Sequence, residues 1–159
     1  MKTAAYILGI LFSVSIGLLS FKSSSHEVPN IYPIQEMDVE IGSSYGMRIH
    51  PFTKEKKMHE GVDFIAKLGT PVVATADGKV IEVAFLSEGY GNKITIQHAN
   101  KVTTIYAQLD KVKVTEGQLV SQMDVIGTVG SSGRSTTPHL HYEIELDKVN
   151  VDPLTYITN

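Results

Sequence analysis

Two short stretches of this chain carry side chains that can do chemistry together. In Pro138-His139-Leu140-His141-Tyr142-Glu143-Ile144, two imidazoles and a carboxylate alternate with apolar residues. Successive side chains of an extended strand point to opposite faces. His139, His141 and Glu143 then share one side, while Leu140, Tyr142 and Ile144 face a core. Residues i and i+2 of a strand stand roughly 6–7 Å apart. That is too far to share a proton directly, but it suits a metal ligand next to a group that acts on the metal's water. The same pattern also describes a pair of surface histidines on a half-exposed strand. The second stretch is Met58-His59-Glu60-Gly61-Val62-Asp63-Phe64, in which Gly61 followed by Val62, Phe64 and Ile65 reads as a turn entering a strand rather than as a helix. Folded together, His59, Asp63 and His141 can offer two nitrogens and one oxygen to a single ion. Three protein ligands leave one tetrahedral position open, the arrangement of a catalytic zinc site rather than a closed structural one. The chain has no cysteine, which excludes a thiolate zinc site.

At these residues the sequence resembles the lysostaphin-type zinc metallopeptidases, which cut peptide cross-links in bacterial peptidoglycan. The resemblance runs from about Ser43 to about Leu146. It includes Tyr45-Gly46-Met47-Arg48-Ile49-His50-Pro51, the His59 to Asp63 motif, Gly69-Thr70-Pro71-Val72, and Gly127 through Ile144. It implies one Zn2+ per chain held by His59, Asp63 and His141, with His139 acting beside the metal on water or the transition state. One position departs from the family pattern. A second catalytic histidine usual in a Tyr-x-His-Leu motif is replaced here, in Tyr106-Ala107-Gln108-Leu109, by Gln108. Glu143 is expected to orient a metal ligand through a hydrogen bond. A zinc site of the His-Glu-x-x-His type is not supported, because Glu60 follows His59 but no histidine stands at the required helical spacing.

The elements that must position these groups read as strands. With 159 residues, 42% hydrophobic content and a net charge of −3, one globular domain plus an extension is expected, and no nucleic-acid footprint is visible. Met1-Lys2 precedes 19 uncharged residues, Thr3 to Phe21, and then Lys22. This stretch is borderline between a signal peptide and a membrane anchor, and it places the protein in the cell envelope, outside the cytoplasmic membrane. Residues 1–21 are therefore expected to direct export, with possible membrane attachment through residues 3–21. Residues 22–42, with Pro29 and Pro33, read as a linker carrying a solvated His26. Residues 43–159 read as the metallopeptidase-like domain. From Pro71 onward, short β-type runs separated by turn signals predict an all-β, compact antiparallel sandwich or barrel-like fold. Hairpins are expected at Asp77-Gly78, at Gly89 to Asn92 and around Asn100-Lys101. His98, ending a strand beside a turn, is assigned a turn or surface role. Arg48 and His50 either brace the sheet or form part of a cleft wall. Gly130 to Thr137, rich in glycine and hydroxyls, lacks the Lys-Ser/Thr ending of a phosphate loop and reads as a flexible loop bordering a substrate groove.

Three functions fit these residues. One is an exported zinc endopeptidase acting on peptidoglycan peptides. The second is a catalytically weakened member of that family, favoured by Gln108, that binds cell wall or regulates a partner hydrolase. The third is a biotinyl- or lipoyl-type carrier domain, suggested by short strands around Asp77-Gly78-Lys79 and Glu116 to Val120 and opposed by the His/Asp set and the export segment.

Overall fold

A computed structural model of the chain describes residues 26–35, 39–50 and 53–157. The expected export segment lies outside the described residues. Among those residues the chain forms strands and two single-turn 3-10 segments, with no α-helix. No helix there is long and apolar enough to cross a membrane. The strands are β1 (Glu40–Ser43), β2 (Gly46–Ile49), β3 (Lys56–His59), β4 (Val62–Ile65), β5 (Pro71–Val73), β6 (Gly78–Phe85), β7 (Asn92–Gln97), β8 (Val102–Val112), β9 (Leu119–Val120), β10 (Val125–Val129), β11 (His139–Leu146) and β12 (Val149–Val151).

One large antiparallel sheet runs in the order β1-β4-β11-β8-β7-β6-β9, with β12 on β11 and β10 joining β8 to β5. β2 and β3 form a separate ribbon. The all-β reading is met, and the strand alternation explains it. Val62 and Phe64 of β4, and Leu140, Tyr142 and Ile144 of β11, are fully buried, while their neighbours Asp63, His139 and His141 face the other way. The core they enter also holds Val80, Ile94, Ile96, Tyr106, Leu109 and Ile126.

Polar groups within this core are satisfied as a chain. Thr75 Oγ1 lies 3.0 Å from the Tyr106 hydroxyl and 2.8 Å from that of Tyr142. Thr104 Oγ1 sits 3.2 Å from Tyr106 and 2.7 Å from His98 Nε2. Burial lowers the pKa of His98, so the ring is neutral. Its Nδ1–H donates to the Asp77 carbonyl at 2.7 Å, which leaves Nε2 to accept from Thr104. His98 therefore has the turn role expected for it, but from a buried position rather than at the surface.

Two local expectations differ from the structure. β5 and β6 do not form a hairpin across Asp77-Gly78. β5 pairs with β10, while β6 pairs with β7 and β9, because the Asp77 carboxylate accepts from Gln122 N at 2.7 Å and ties this turn to a distant loop. The described part of the segment expected as a linker packs on the domain. Ile34 is buried, Tyr32 meets Phe64 edge-on at 5.8 Å, Val73 N donates to Pro33 O, and β1 pairs with β4. Proline and polar residues hid this attachment, since it is made through single side chains and backbone bonds rather than a periodic apolar face. The hairpins β6–β7 and β7–β8 form where the turn residues predicted them.

The chain passes from the β2–β3 ribbon to the large sheet at Glu60-Gly61, where it runs against β11. A Cβ on Gly61 would lie 2.3 Å from the Tyr142 carbonyl oxygen and 2.8 Å from Glu143 Cγ. Only glycine permits that approach. Gly61→Ala is expected to cost about 1–3 kcal/mol, as overpacking does, read as a lower urea midpoint. A change below about 0.5 kcal/mol, the range of ordinary surface substitutions, would show that β4 can move off β11 freely.

Candidate metal centre

Register alone brings two of the expected ligands together. Asp63 of β4 stands directly opposite His141 of β11. His59 arrives from the ribbon, where it pairs with Gly46. The donor atoms converge: His59 Nε2 and Asp63 Oδ1 are 3.2 Å apart, His59 Nε2 and His141 Nδ1 3.2 Å, and His141 Nδ1 and Asp63 Oδ1 2.8 Å. Among the described residues these three are the group of His, Asp and Glu side chains placed to hold a metal ion. A tetrahedral zinc with bonds of about 2.0–2.1 Å sets its ligand atoms roughly 3.3 Å apart, so the donor set fits the ion with little movement.

The outward nitrogens of both rings are fixed. His59 Nδ1–H donates to the Ser44 carbonyl at 2.8 Å, and His141 Nε2–H donates to Glu143 Oε1 at 2.8 Å. Each ring thus presents its other nitrogen to the shared centre, as metal-binding histidines do. Glu143 has the orienting place expected for it. It is 1% exposed, and its carboxylate also accepts from the Tyr90 hydroxyl at 2.8 Å and from Asn150 Nδ2 at 2.7 Å. Burial favours the neutral acid, but the hydrogen bonds from His141, Tyr90 and Asn150 outweigh it and lower the Glu143 pKa. Burial and the adjacent Glu143 charge push the Tyr90 phenol far above its ordinary value, so it remains a donor.

The two carboxylates beside His141 favour its protonated form. Burial pulls His141 down, but hydrogen bonds to Asp63 and Glu143 outweigh it and push its pKa up to about 9. The extra proton lies on Nδ1, between Asp63 Oδ1 and His59 Nε2. Burial would raise Asp63, yet the hydrogen bond and charge of His141 hold it far below the usual carboxylate range.

His139 lies alongside. Its Nδ1–H points at the Thr137 carbonyl at 2.8 Å and at Ser135 Oγ at 3.1 Å. Ser135 Oγ–H in turn donates to Thr137 O at 2.6 Å. Nε2 is therefore the basic nitrogen, and it sits 3.8 Å from Asp63 Oδ1. All four residues line a cleft of about 570 Å³, together with Tyr90, Gln108 and the 134–137 loop. Arg48 and His50 line the same cleft, and Arg48 Nη2 lies 3.6 Å from Asp63 Oδ2. Their place is the cleft wall.

Gln108 is built in rather than left open. β8 pairs with β11 through Ala107 and with β10 from Leu109 onward, so Gln108 falls where the partner changes, with a left-handed φ of 64°. Its Nε2 donates to Gly89 O at 2.7 Å and its Oε1 accepts from Gly133 N at 2.8 Å. The 130–137 loop, expected to be flexible, is further tied by Asn92 N to Ser132 Oγ at 2.8 Å and Arg134 N to Gly89 O at 3.1 Å. Gly91, at φ 65°, makes this stitching possible, because a Cβ there would meet Gly133 N at 2.3 Å.

Tyr90, Asn150 and Ser44 are not among the expected site residues, whereas Ser135 belongs to the hydroxyl-rich loop expected to border the groove, though not as a partner of His139. Asn150 had one readable signal. The turn Asp147-Lys148, both residues at positive φ, closes a β11–β12 hairpin and sets Asn150 beside Glu143. Tyr90 and Ser44 act through single contacts that spacing does not encode.

Residues 57–153 match peptidase family M23. The chain is 45% identical over 126 residues to the DD-carboxypeptidase/endopeptidase Mpg of Neisseria meningitidis serogroup B, covering 79% of this chain and 28% of that protein. Among solved structures it resembles a zinc-containing peptidase from Vibrio cholerae, with TM-score 0.75 and 38% identity over 81% of this chain and 40% of that one. It also resembles the catalytic domain of lysostaphin from Staphylococcus simulans, with TM-score 0.67 and 32% identity over 74% and 91% of the two chains. The chain spans under a third of the length of the curated relatives it matches.

A metal ion at this centre must displace the His141 proton. Adding Zn2+ to chelator-stripped protein at pH 7 should release about one proton per ion, measured in weak buffer, with the release fading above about pH 9. Because the folded chain holds this proton more tightly than a free imidazole, it stabilises the stripped fold fully below about pH 6.5 and is lost as pH rises through about 9. The urea midpoint of stripped protein should fall over that interval. Zinc uptake at pH 7 without proton release would place the ion elsewhere.

Proposed function

Because the chain belongs to peptidase family M23, we propose that it is an exported zinc-dependent endopeptidase that hydrolyses peptide cross-links of bacterial peptidoglycan. The observation that carries this reading is the set of three donor atoms, 2.8–3.2 Å apart, beside the basic nitrogen of His139 in one open cleft. The relatives' names support the substrate class, and the apolar Thr3 to Phe21 stretch after Lys2 supports export to the envelope.

His59, Asp63 and His141 would hold the zinc, which when bound supplies a Lewis acid to a water molecule and to the scissile carbonyl. His139 Nε2 takes the proton lost in nucleophilic attack and returns it to the departing amine. Ser135 and Thr137 keep Nδ1 protonated and the ring aimed into the cleft. Glu143 keeps His141 in the tautomer that offers Nδ1 inward. Tyr90 and Asn150 hold Glu143 ionised.

A second reading, a catalytically weakened member that binds wall or regulates a partner hydrolase, is favoured by Gln108. A carboxamide does not titrate, and both ends of this one are occupied by Gly89 and Gly133, so it cannot exchange a proton.

Alanine at His59, Asp63 or His141 should each strip zinc, measured by metal analysis. Full zinc in all three variants would remove the site. The zinc-loaded chain should release soluble fragments from purified peptidoglycan, with fragment masses naming the bond. If zinc is retained but nothing is released, the second reading holds. Gln108→His should then raise turnover within the 10²- to 10⁴-fold that one general acid or base contributes.

A further inference from the structure

The β2–β3 ribbon contains an arrangement that folding alone disfavours. Arg48 and Lys57 stand directly opposite each other, and like charges at such a pair are destabilising. They share the face of Gly46 and His59, which is the cleft face, and both line the cleft. Arg134 lines it from the 130–137 loop. His50 lines the same cleft, and desolvation together with the charges of Arg134, Lys57 and Arg48 keeps that ring below its ordinary pKa against the opposing charge of Glu55. Lys57 makes no ion pair among the described residues, and Arg48 reaches Asp63 only at 3.6 Å. Of the carboxylates lining the cleft, Asp63 and Glu143 are engaged by His141, which leaves Glu60. Arg48, Lys57 and Arg134 thus gather on one side of the cleft next to the metal centre, facing the Glu60 carboxylate in the lining and that of Glu55 beside His50.

We infer that Arg48, Lys57 and Arg134 form an anion subsite that receives a free carboxylate of the peptide substrate, close to the scissile bond. The inference rests on the reading of this cleft as a peptide hydrolase site. Cβ atoms of directly opposed residues lie about 5 Å apart, so one carboxylate can take hydrogen bonds from both Arg48 and Lys57. Charge-assisted bonds of this kind are roughly twice as strong as neutral ones. Arg48 also touches Asp63, which puts the bound carboxylate within about one or two residues of the reacting amide at the roughly 3.3 Å rise of an extended peptide. The subsite selects stem peptides whose carboxylates are free over those that carry primary amides at the same positions.

Two synthetic cross-linked stem peptides, identical except that the carboxylates of one are primary amides in the other, test this. Both are titrated calorimetrically into the zinc-loaded His139→Ala chain, which keeps them intact, and both are offered to the unsubstituted enzyme. The carboxylate form should bind about tenfold more tightly, with the gap narrowing as salt is raised. Lys57→Gln and Arg134→Gln, introduced at exposed positions, should close the gap while leaving the amide form's affinity unchanged. Equal affinity for the two peptides, or a gap that survives both substitutions, overturns the subsite. Cleavage without preference removes the subsite and keeps the hydrolase reading. Preference without cleavage does the reverse, and neither binding nor cleavage removes both.

Discussion

The register in which β4 meets β11 is the constraint on which the site depends. With Asp63 opposite His141 and Phe64 opposite Leu140, one face of the pair is chemistry and the other is core. Because side chains alternate with a period of two, a slip of one residue would send Phe64 into the cleft and Asp63 into the apolar interior. The register is held from the core side by Val62, Phe64, Leu140 and Tyr142, all fully buried. On the polar side the bond between His141 and Asp63 holds it. Hydrophobic burial therefore does the positioning, and the charged groups are carried to where the apolar residues put them.

Around that pair the charges of Asp63, His141 and Glu143 each have a partner. A buried carboxylate such as Glu143 is costly unless several donors meet it, and here His141, Tyr90 and Asn150 do so. Its role is to hold His141. His141 in turn carries a proton into the space between Asp63 and His59 when no metal is there. That proton and a divalent ion compete for the same three atoms, which ties stability, pH and metal affinity to one imidazole. Gln108 belongs to a different task. Where the resemblance calls for a titrating side chain, the chain has an amide that ties together two loops at the cleft edge, so in the proposed reaction the proton work is assigned to His139.

The features legible in the sequence are those that obey a period or a motif. Alternation in His139 to Ile144 gave the faces of β11 correctly, Gly61 marked the turn that lets His59 reach Asp63, and turn residues placed the hairpins β6–β7 and β7–β8. What escaped were contacts between residues far apart in the chain that no local pattern announces. The Tyr90 hydroxyl on Glu143, the Ser44 carbonyl on His59 and the seating of Ile34 in the core depend on three-dimensional closeness. Asp77-Gly78 misled because a good turn dipeptide says where the chain bends but not which strand it joins next. The strand that follows pairs along most of its length with β7, a longer pairing than the three residues of β5 could offer, and its first two residues pair with β9.

The central claim is that one ion sits at the junction of the ribbon and the large sheet. Anomalous scattering measured at the zinc absorption edge from crystals of the zinc-loaded chain tests it most directly. The account predicts a single strong peak about 2.0–2.1 Å from His59 Nε2, Asp63 Oδ1 and His141 Nδ1. A fully loaded crystal whose peak lies away from these three atoms, or that involves only one of them, would contradict it.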